Sequence, residues 1–136
     1  MLNYLHFVDN ISDLKMSDNS ILFKLDAAHC DTKQNLFKYF ALQLSFPYYF
    51  GHNWDAFNEC IHDLEWIKDE TGKNKVYIYI YNLSELLKND IDKNKETFFQ
   101  IINTEDVYID EFNNPVEINF VFNNKERQFY IDDKFK

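Results

Sequence analysis

The spacing of apolar and polar positions divides the chain into strand-like and helix-like stretches in a regular order. Residues 21–25, Ile-Leu-Phe-Lys-Leu, form a compact apolar run interrupted by Lys24, the pattern of a first strand. Asp31 and Thr32 then offer a helix N-cap, and Leu36, Phe37, Phe40 and Leu44 recur at the spacing of one helix face. Pro47 ends that helix, because the residue before a proline is driven out of the α region. Gly51 marks a sharp connection. A second helix over 53–64 follows, with Phe57, Cys60, Ile61 and Leu64 on one face and Asp55, Asn58, Glu59, His62 and Asp63 on the other.

Lys75–Tyr81 alternates Val76, Ile78 and Ile80 with Tyr77, Tyr79 and Tyr81, which predicts a strand covered on both faces. Ser84 reads as the cap of a helical segment containing Leu86 and Leu87, and Phe98, Phe99, Ile101 and Ile102 mark a further helix. Asn113, Asn114 and Pro115 then introduce a strand over 116–122. At the ends, residues 4–8 fit either a short strand or part of a helix, and 127–131 are expected to add an edge strand. The expected organisation is an N-terminal extension over 1–19, a domain over 20–124 and a tail over 125–136. Helices separating largely apolar strands imply right-handed parallel crossovers, and so an α/β layer rather than a β-sandwich.

Composition narrows the function. A length of 136 residues corresponds to about one domain, and 14 Phe with 9 Tyr supply enough apolar surface for a substantial core. Asp and Glu number 23 against 14 Lys and Arg, a formal charge of -9 that would repel phosphate backbones, so no direct nucleic-acid partner is expected. The same field favours a basic protein, whose approach it would steer. Cys30 and Cys60 are the only cysteines, and no secretory signal pattern is present, so the expected location is the cytoplasm with both thiols reduced. No apolar run approaches the roughly 18 residues of a transmembrane helix, so no membrane association is expected. Gly51 and Gly72 are isolated and cannot make a glycine-rich phosphate loop.

Chemistry concentrates around the second helix. Between His52 and Lys68 the chain carries Asp55, Glu59, Asp63 and Glu65 with no Lys or Arg at all. Asp55 and Glu59, four residues apart, share a helical face, and their like charges destabilise an isolated helix by about 0.2–0.5 kcal/mol. That cost is compatible both with an ordinary solvated face and with a binding face. An enzyme reading finds acid and base groups in Glu59, His62 and His52. However, Glu59 and His62 form a single Glu-x-x-His pair where carboxylate-bridged metal bundles need two, and Cys60 falls on the apolar face. Neither metal nor cofactor is expected. Among Tyr48, Tyr49, Phe50, Trp54 and Trp66, most read as packing, whereas Tyr49 and His52 are placed to border an exposed site, where aromatics beside acids suit a protein interface.

The run over 46–66, Phe-Pro-Tyr-Tyr-Phe-Gly-His-Asn-Trp-Asp-Ala-Phe-Asn-Glu-Cys-Ile-His-Asp-Leu-Glu-Trp, resembles the barstar family of intracellular ribonuclease inhibitors, and a looser match extends over residues 20–124. The resemblance implies a three-stranded parallel sheet with helices packed on it. It also implies a monomeric protein that plugs the basic active site of an extracellular-type ribonuclease, or of a ribonuclease toxin, with an acidic helix and the adjoining loop. In that pattern Tyr49 matches the contacting tyrosine, Gly51 the glycine whose backbone approaches the enzyme, and Asp55 the first interface aspartate. Glu59 matches the central acid, which is Asp in the best-known member, so this chain keeps the charge on a side chain one methylene longer. Asn58 and Leu64 stand where that member has tryptophans. His52 and Asn58 complete the expected contact set. The alternative is an acidic module that binds another basic protein or a non-ribonuclease toxin.

Overall fold

The computed structural model describes residues 3–103 and 116–130. Its elements follow the order β1 (Asn3–Val8), β2 (Ser20–Asp26), α1 (Lys33–Gln43), α2 (Trp54–Ile61), α3 (Glu65–Thr71), β3 (Lys75–Tyr81), α4 (Asp92–Ile102) and β4 (Glu117–Asn123). The strands form one four-stranded sheet in the order β1-β4-β3-β2, with every neighbouring pair parallel. The α/β class and the three expected strands are therefore present, and a fourth strand lies at one edge.

That edge strand comes from the N-terminal end. Residues 3–8, read as part of an extension, pair in register with 118–123 of β4. The expected edge strand over 127–131 does not form among the described residues. Asn124–Phe129 is instead a 3-10 turn begun by Asn123, whose side chain accepts the Lys125 N–H. Side chains of this turn are committed elsewhere: Glu126 accepts from the Asn82 and Leu83 N–H groups, and the Tyr130 ring packs on Phe7, Phe99 and Phe122. Ile131 and the turn at 113–115 lie outside the described residues.

Register sorts the sheet into two faces, because residues paired across parallel strands point the same way. Phe23, Ile78 and Phe120 share one face with Ile21, Val76 and Ile118, and with Leu25 and Ile80. Against these pack Leu36, Phe37 and Phe40 of α1, Phe57 and Ile61 of α2, Ile67 of α3 and Phe98 and Phe99 of α4, in one continuous core. Tyr77, Tyr79, Asn119 and Val121 point the other way. Tyr77 is buried there, but Tyr79 and Tyr81 are half-buried, so the expectation of full cover on both faces holds only in part. Direction of travel explains the asymmetry. The steps from β2 to β3 and from β3 to β4 run the same way, so right-handed crossovers put their helices on one face; the step from β1 to β2 runs back, and the same rule sends only residues 9–19 over the other.

Three local expectations change. The helix expected over 53–64 stops at Ile61, and the chain turns a corner at Leu64, which is fully buried in a left-handed conformation (φ 51°), before starting the unanticipated α3. Gly72, also left-handed, closes α3 by donating its N–H to Lys68 O. Ser84 is not a cap: Leu83–Glu85 is a single 3-10 turn begun by Asn82, after which Leu86 and Leu87 bury as irregular chain.

Asn119 is the single polar residue among the buried ones described, and its amide is satisfied by donation to Glu117 Oε2 at 3.0 Å and acceptance at Oδ1 from His6 Nε2 at 2.8 Å. That hydrogen bond ties β1 to the sheet. His6→Ala should strand the Asn119 carbonyl and cost about 1–3 kcal/mol of stability, read as a lower urea midpoint with an unchanged slope.

Candidate functional site

The loop before α2 is shaped at both ends by residues that hold left-handed conformations without being glycine. At its start, Ser45 (φ 55°) closes α1, and the Phe46 N–H reaches back to Ala41 O at 2.9 Å, the six-to-one bond of a Schellman ending. At its end, His52 (φ 50°) lays its ring over Phe50 at 4.8 Å between centroids. Each such residue costs about 1 kcal/mol, which persists only where surrounding contacts over-determine it. Here Phe46 and Phe50 supply those contacts, buried against each other at 5.1 Å and against Phe37 and Phe57.

Between these anchors the Phe50 N–H donates to Pro47 O, closing a four-residue turn whose two central residues are Tyr48 and Tyr49. The turn holds both rings in solvent, Tyr48 at 100% exposure and Tyr49 at 73%, edge to face at 5.7 Å. Sequence reasoning marked Tyr49 and did not single out Tyr48; the signal for Tyr48 was its place beside Tyr49 in a turn flanked by two buried phenylalanines. Gly51 follows in tight quarters. A Cβ there would stand 3.1 Å from Asn53 Nδ2, and Asn53 is the N-cap of α2, its Oδ1 accepting the Ala56 N–H at 2.8 Å.

α2 then presents two unlike faces. Phe57, Cys60 and Ile61 are buried, while Asp55, Asn58 and Glu59 are exposed on the opposite side. Trp54 fixes the helix start, its Nε1–H donating to Asn94 Oδ1 at 3.1 Å and its ring edge-on to Phe37. Burial pushes the Cys60 thiol up, reinforced by Asp63 and Glu59, and burial pushes Cys30 up to about 12, so neither cysteine supplies a thiolate near neutral pH.

Some carboxylates elsewhere in the fold serve internal structure. Asp90 accepts from the Lys33 and Ile91 N–H groups and from Asn94, Asp31 accepts from Asn35 and Asn89, and both are held below the usual carboxylate range by those bonds. Asp55 and Glu59 make no side-chain hydrogen bond or ion pair among the described residues, whereas Lys88 pairs with Glu85. The six residues expected at the site, Tyr49, Gly51, His52, Asp55, Asn58 and Glu59, are all exposed on this loop and helix face.

His62 departs from its expected place on the polar face. It caps α2 and turns inward, with Nε2 3.0 Å from Ile101 O and its ring edge-on to Phe120. The helix ends one residue earlier, which frees the side chain to follow the corner at Leu64 rather than the acidic face. Glu59 and His62 therefore do not form an exposed acid-base pair, and among the described residues no group of three metal-ligating side chains occurs.

The family model for barstar, described as a barnase inhibitor, matches residues 21–123. The chain belongs to the barstar family. Barstar proteins form an inhibitor family rather than an enzyme family, with ribonucleases of the barnase kind as their general class of partner. The match covers β2 to β4 with all four helices, and leaves the barstar-like chain's β1 outside it. Among curated proteins no match to the chain is found. No helix of the described residues is long and apolar enough to cross a membrane.

Burial lowers the pKa of His62 from its ordinary 6.5, with the Ile101 contact opposing the shift. The folded state then binds fewer protons than the unfolded state as pH falls through 6.5. This contribution to stability is fully present above that value and is lost progressively below it, until the folded-state pKa is passed. The urea midpoint should fall between pH 7 and pH 5.5, and His62→Gln should flatten that slope.

Proposed function

We propose that this barstar-family chain inhibits a small basic ribonuclease by seating α2 and the 45–53 loop in its active-site cleft, as the immunity protein for a ribonuclease toxin. The observation that carries the reading is that Asp55 and Glu59 stand exposed and unpaired on one face of α2, in a fold that commits Asp31, Asp90 and Glu126 to internal hydrogen bonds. Two carboxylates one helical turn apart can accept charge-assisted bonds from the arginines and lysines that would otherwise hold RNA phosphates. Substrate and inhibitor then compete for the same cations. Tyr49, Gly51, His52 and Asn58 shape the contact beside them. Tyr48, on the same turn, adds an exposed ring. One acidic face fills one cleft, so the complex is one to one.

Specificity follows from the departures at two positions. Glu59 carries its charge one methylene further than an aspartate, and Asn58 offers a small polar surface where the best-known member has a tryptophan. A cognate enzyme for this chain presents its central cation slightly deeper in the cleft and lacks an apolar pocket opposite Asn58.

Titration of the chain into a barnase-type ribonuclease cleaving RNA should give stoichiometric inhibition that weakens as salt rises. Asp55→Ala with Glu59→Ala should weaken inhibition by about a hundredfold, the equivalent of two lost charge-assisted bonds at about 1.5 kcal/mol each. Normal inhibition by the double variant would overturn the assignment of the acidic face, and no inhibition by the unaltered chain would favour a different basic partner.

A further inference from the structure

Where α1 ends, Ser45, Trp66, Asp69 and Glu70 line an open cleft of about 490 Å3. Its apolar wall is the Trp66 indole. The indole N–H already donates to Leu44 O at 2.8 Å, and the ring meets Phe46 edge to face at 6.0 Å, so the ring is fixed in place with its polar atom satisfied. What it offers to the cleft is a rigid aromatic surface. Asp69 and Glu70 are exposed beside it, with no side-chain hydrogen bond or ion pair among the described residues. Lys68, the neighbouring base, does not line the cleft.

The cleft adjoins the loop of the candidate site at Ser45. Ser45 is both a wall of the cleft and the first residue of the loop that carries Tyr49, Gly51 and His52. A chain of ring contacts runs along the same edge, from Trp66 to Phe46, from Phe46 to Phe50 at 5.1 Å and from Phe50 to His52 at 4.8 Å. A partner that reaches the Ser45 end of the loop would meet this cleft at its margin.

We infer that the cleft receives an arginine side chain of the same basic protein, its guanidinium flat against Trp66 and paired with Asp69 and Glu70. This inference rests on the inhibitor reading for the identity of the partner. The chemistry selects the occupant in three ways. A formal charge of -9 and two local carboxylates repel anions. A neutral apolar side chain would remove water from both carboxylates without compensating them. A planar cation instead satisfies the ring face and the carboxylates together, and guanidinium stacks where ammonium does not. Because α3 carries Trp66, Asp69 and Glu70, the contact surface extends from α2 to α3, and selectivity among ribonucleases depends on whether an arginine stands at that margin.

The test uses N-acetyl-arginine amide, titrated into the full chain while the two tryptophan indole N–H resonances are followed by NMR. Trp54 on α2 serves as the internal reference. A saturable shift of Trp66 at millimolar probe, absent with N-acetyl-glycine amide and weakened at least about threefold in Asp69→Asn with Glu70→Gln, is the expected result. Both substituted residues are exposed, and an unmoved Trp54 signal verifies that the variant folds. No saturable Trp66 shift, or an equal shift in the variant, would overturn the inference. The ribonuclease titration decides the parent reading separately: loss of inhibition in the unaltered chain removes the enzyme as partner, while the arginine titration still decides the cleft.

Discussion

The architecture turns on the burial of one side chain, Phe57. Its ring lies within packing distance of Phe37 and Phe40 on α1, Phe46 in the loop, Trp54 on α2 itself and Phe98 on α4, at centroid separations of 5.3 to 6.1 Å. A fully buried phenylalanine contributes about 2–3 kcal/mol through apolar area alone, and offset or edge-to-face partners add to that. The geometric consequence matters as much as the energy. With Phe57 fixed inward, the period of the helix fixes Asp55 and Glu59 outward, so the hydrophobic core sets the direction of the acidic face.

Polar groups follow a corresponding division. Asp90 and Glu126 accept hydrogen bonds at turns and helix starts, where orphan backbone N–H groups need partners, and Asp31 accepts from the side-chain amides of Asn35 and Asn89. Asp55, Glu59, Asp69 and Glu70 are left to solvent. The segment from His52 to Glu65 contains no Lys or Arg to pair with Asp55 and Glu59. The result is a concentrated negative surface on a rigid support, which suits recognition by a protein that normally binds phosphates.

Rigidity at that surface has its own source. Ser45, His52 and Leu64 all adopt left-handed conformations, and they bracket the loop and α2. Such residues are tolerated because buried rings and the Leu64 side chain hold the chain between them, so the conformational cost is met in the folded protein before any partner arrives. In the proposed complex, binding would lose less entropy in ordering the loop, which favours affinity.

Much of this was legible in the chain itself. Lys75–Tyr81 is a strand at the expected boundaries, Thr32 caps α1 through the Asn35 N–H, and the two faces of α2 separate at Asp55, Phe57, Asn58, Glu59, Cys60 and Ile61 as their spacing requires. These features are set by interactions within a few residues, so local periodicity and capping report them. The ends of the chain and the corner after α2 were not legible. β1 is defined by register with β4 more than a hundred residues away, the 127–131 segment is drawn off by Glu126 and Tyr130 into contacts with distant elements, and His62 leaves the polar face because a buried Leu64 turns the chain. The sequence determined which residues are apolar, acidic and adjacent. Only tertiary structure decided which edge of the sheet is covered and that α3 brings Trp66, Asp69 and Glu70 beside the loop, because those outcomes depend on contacts between residues that no local pattern connects.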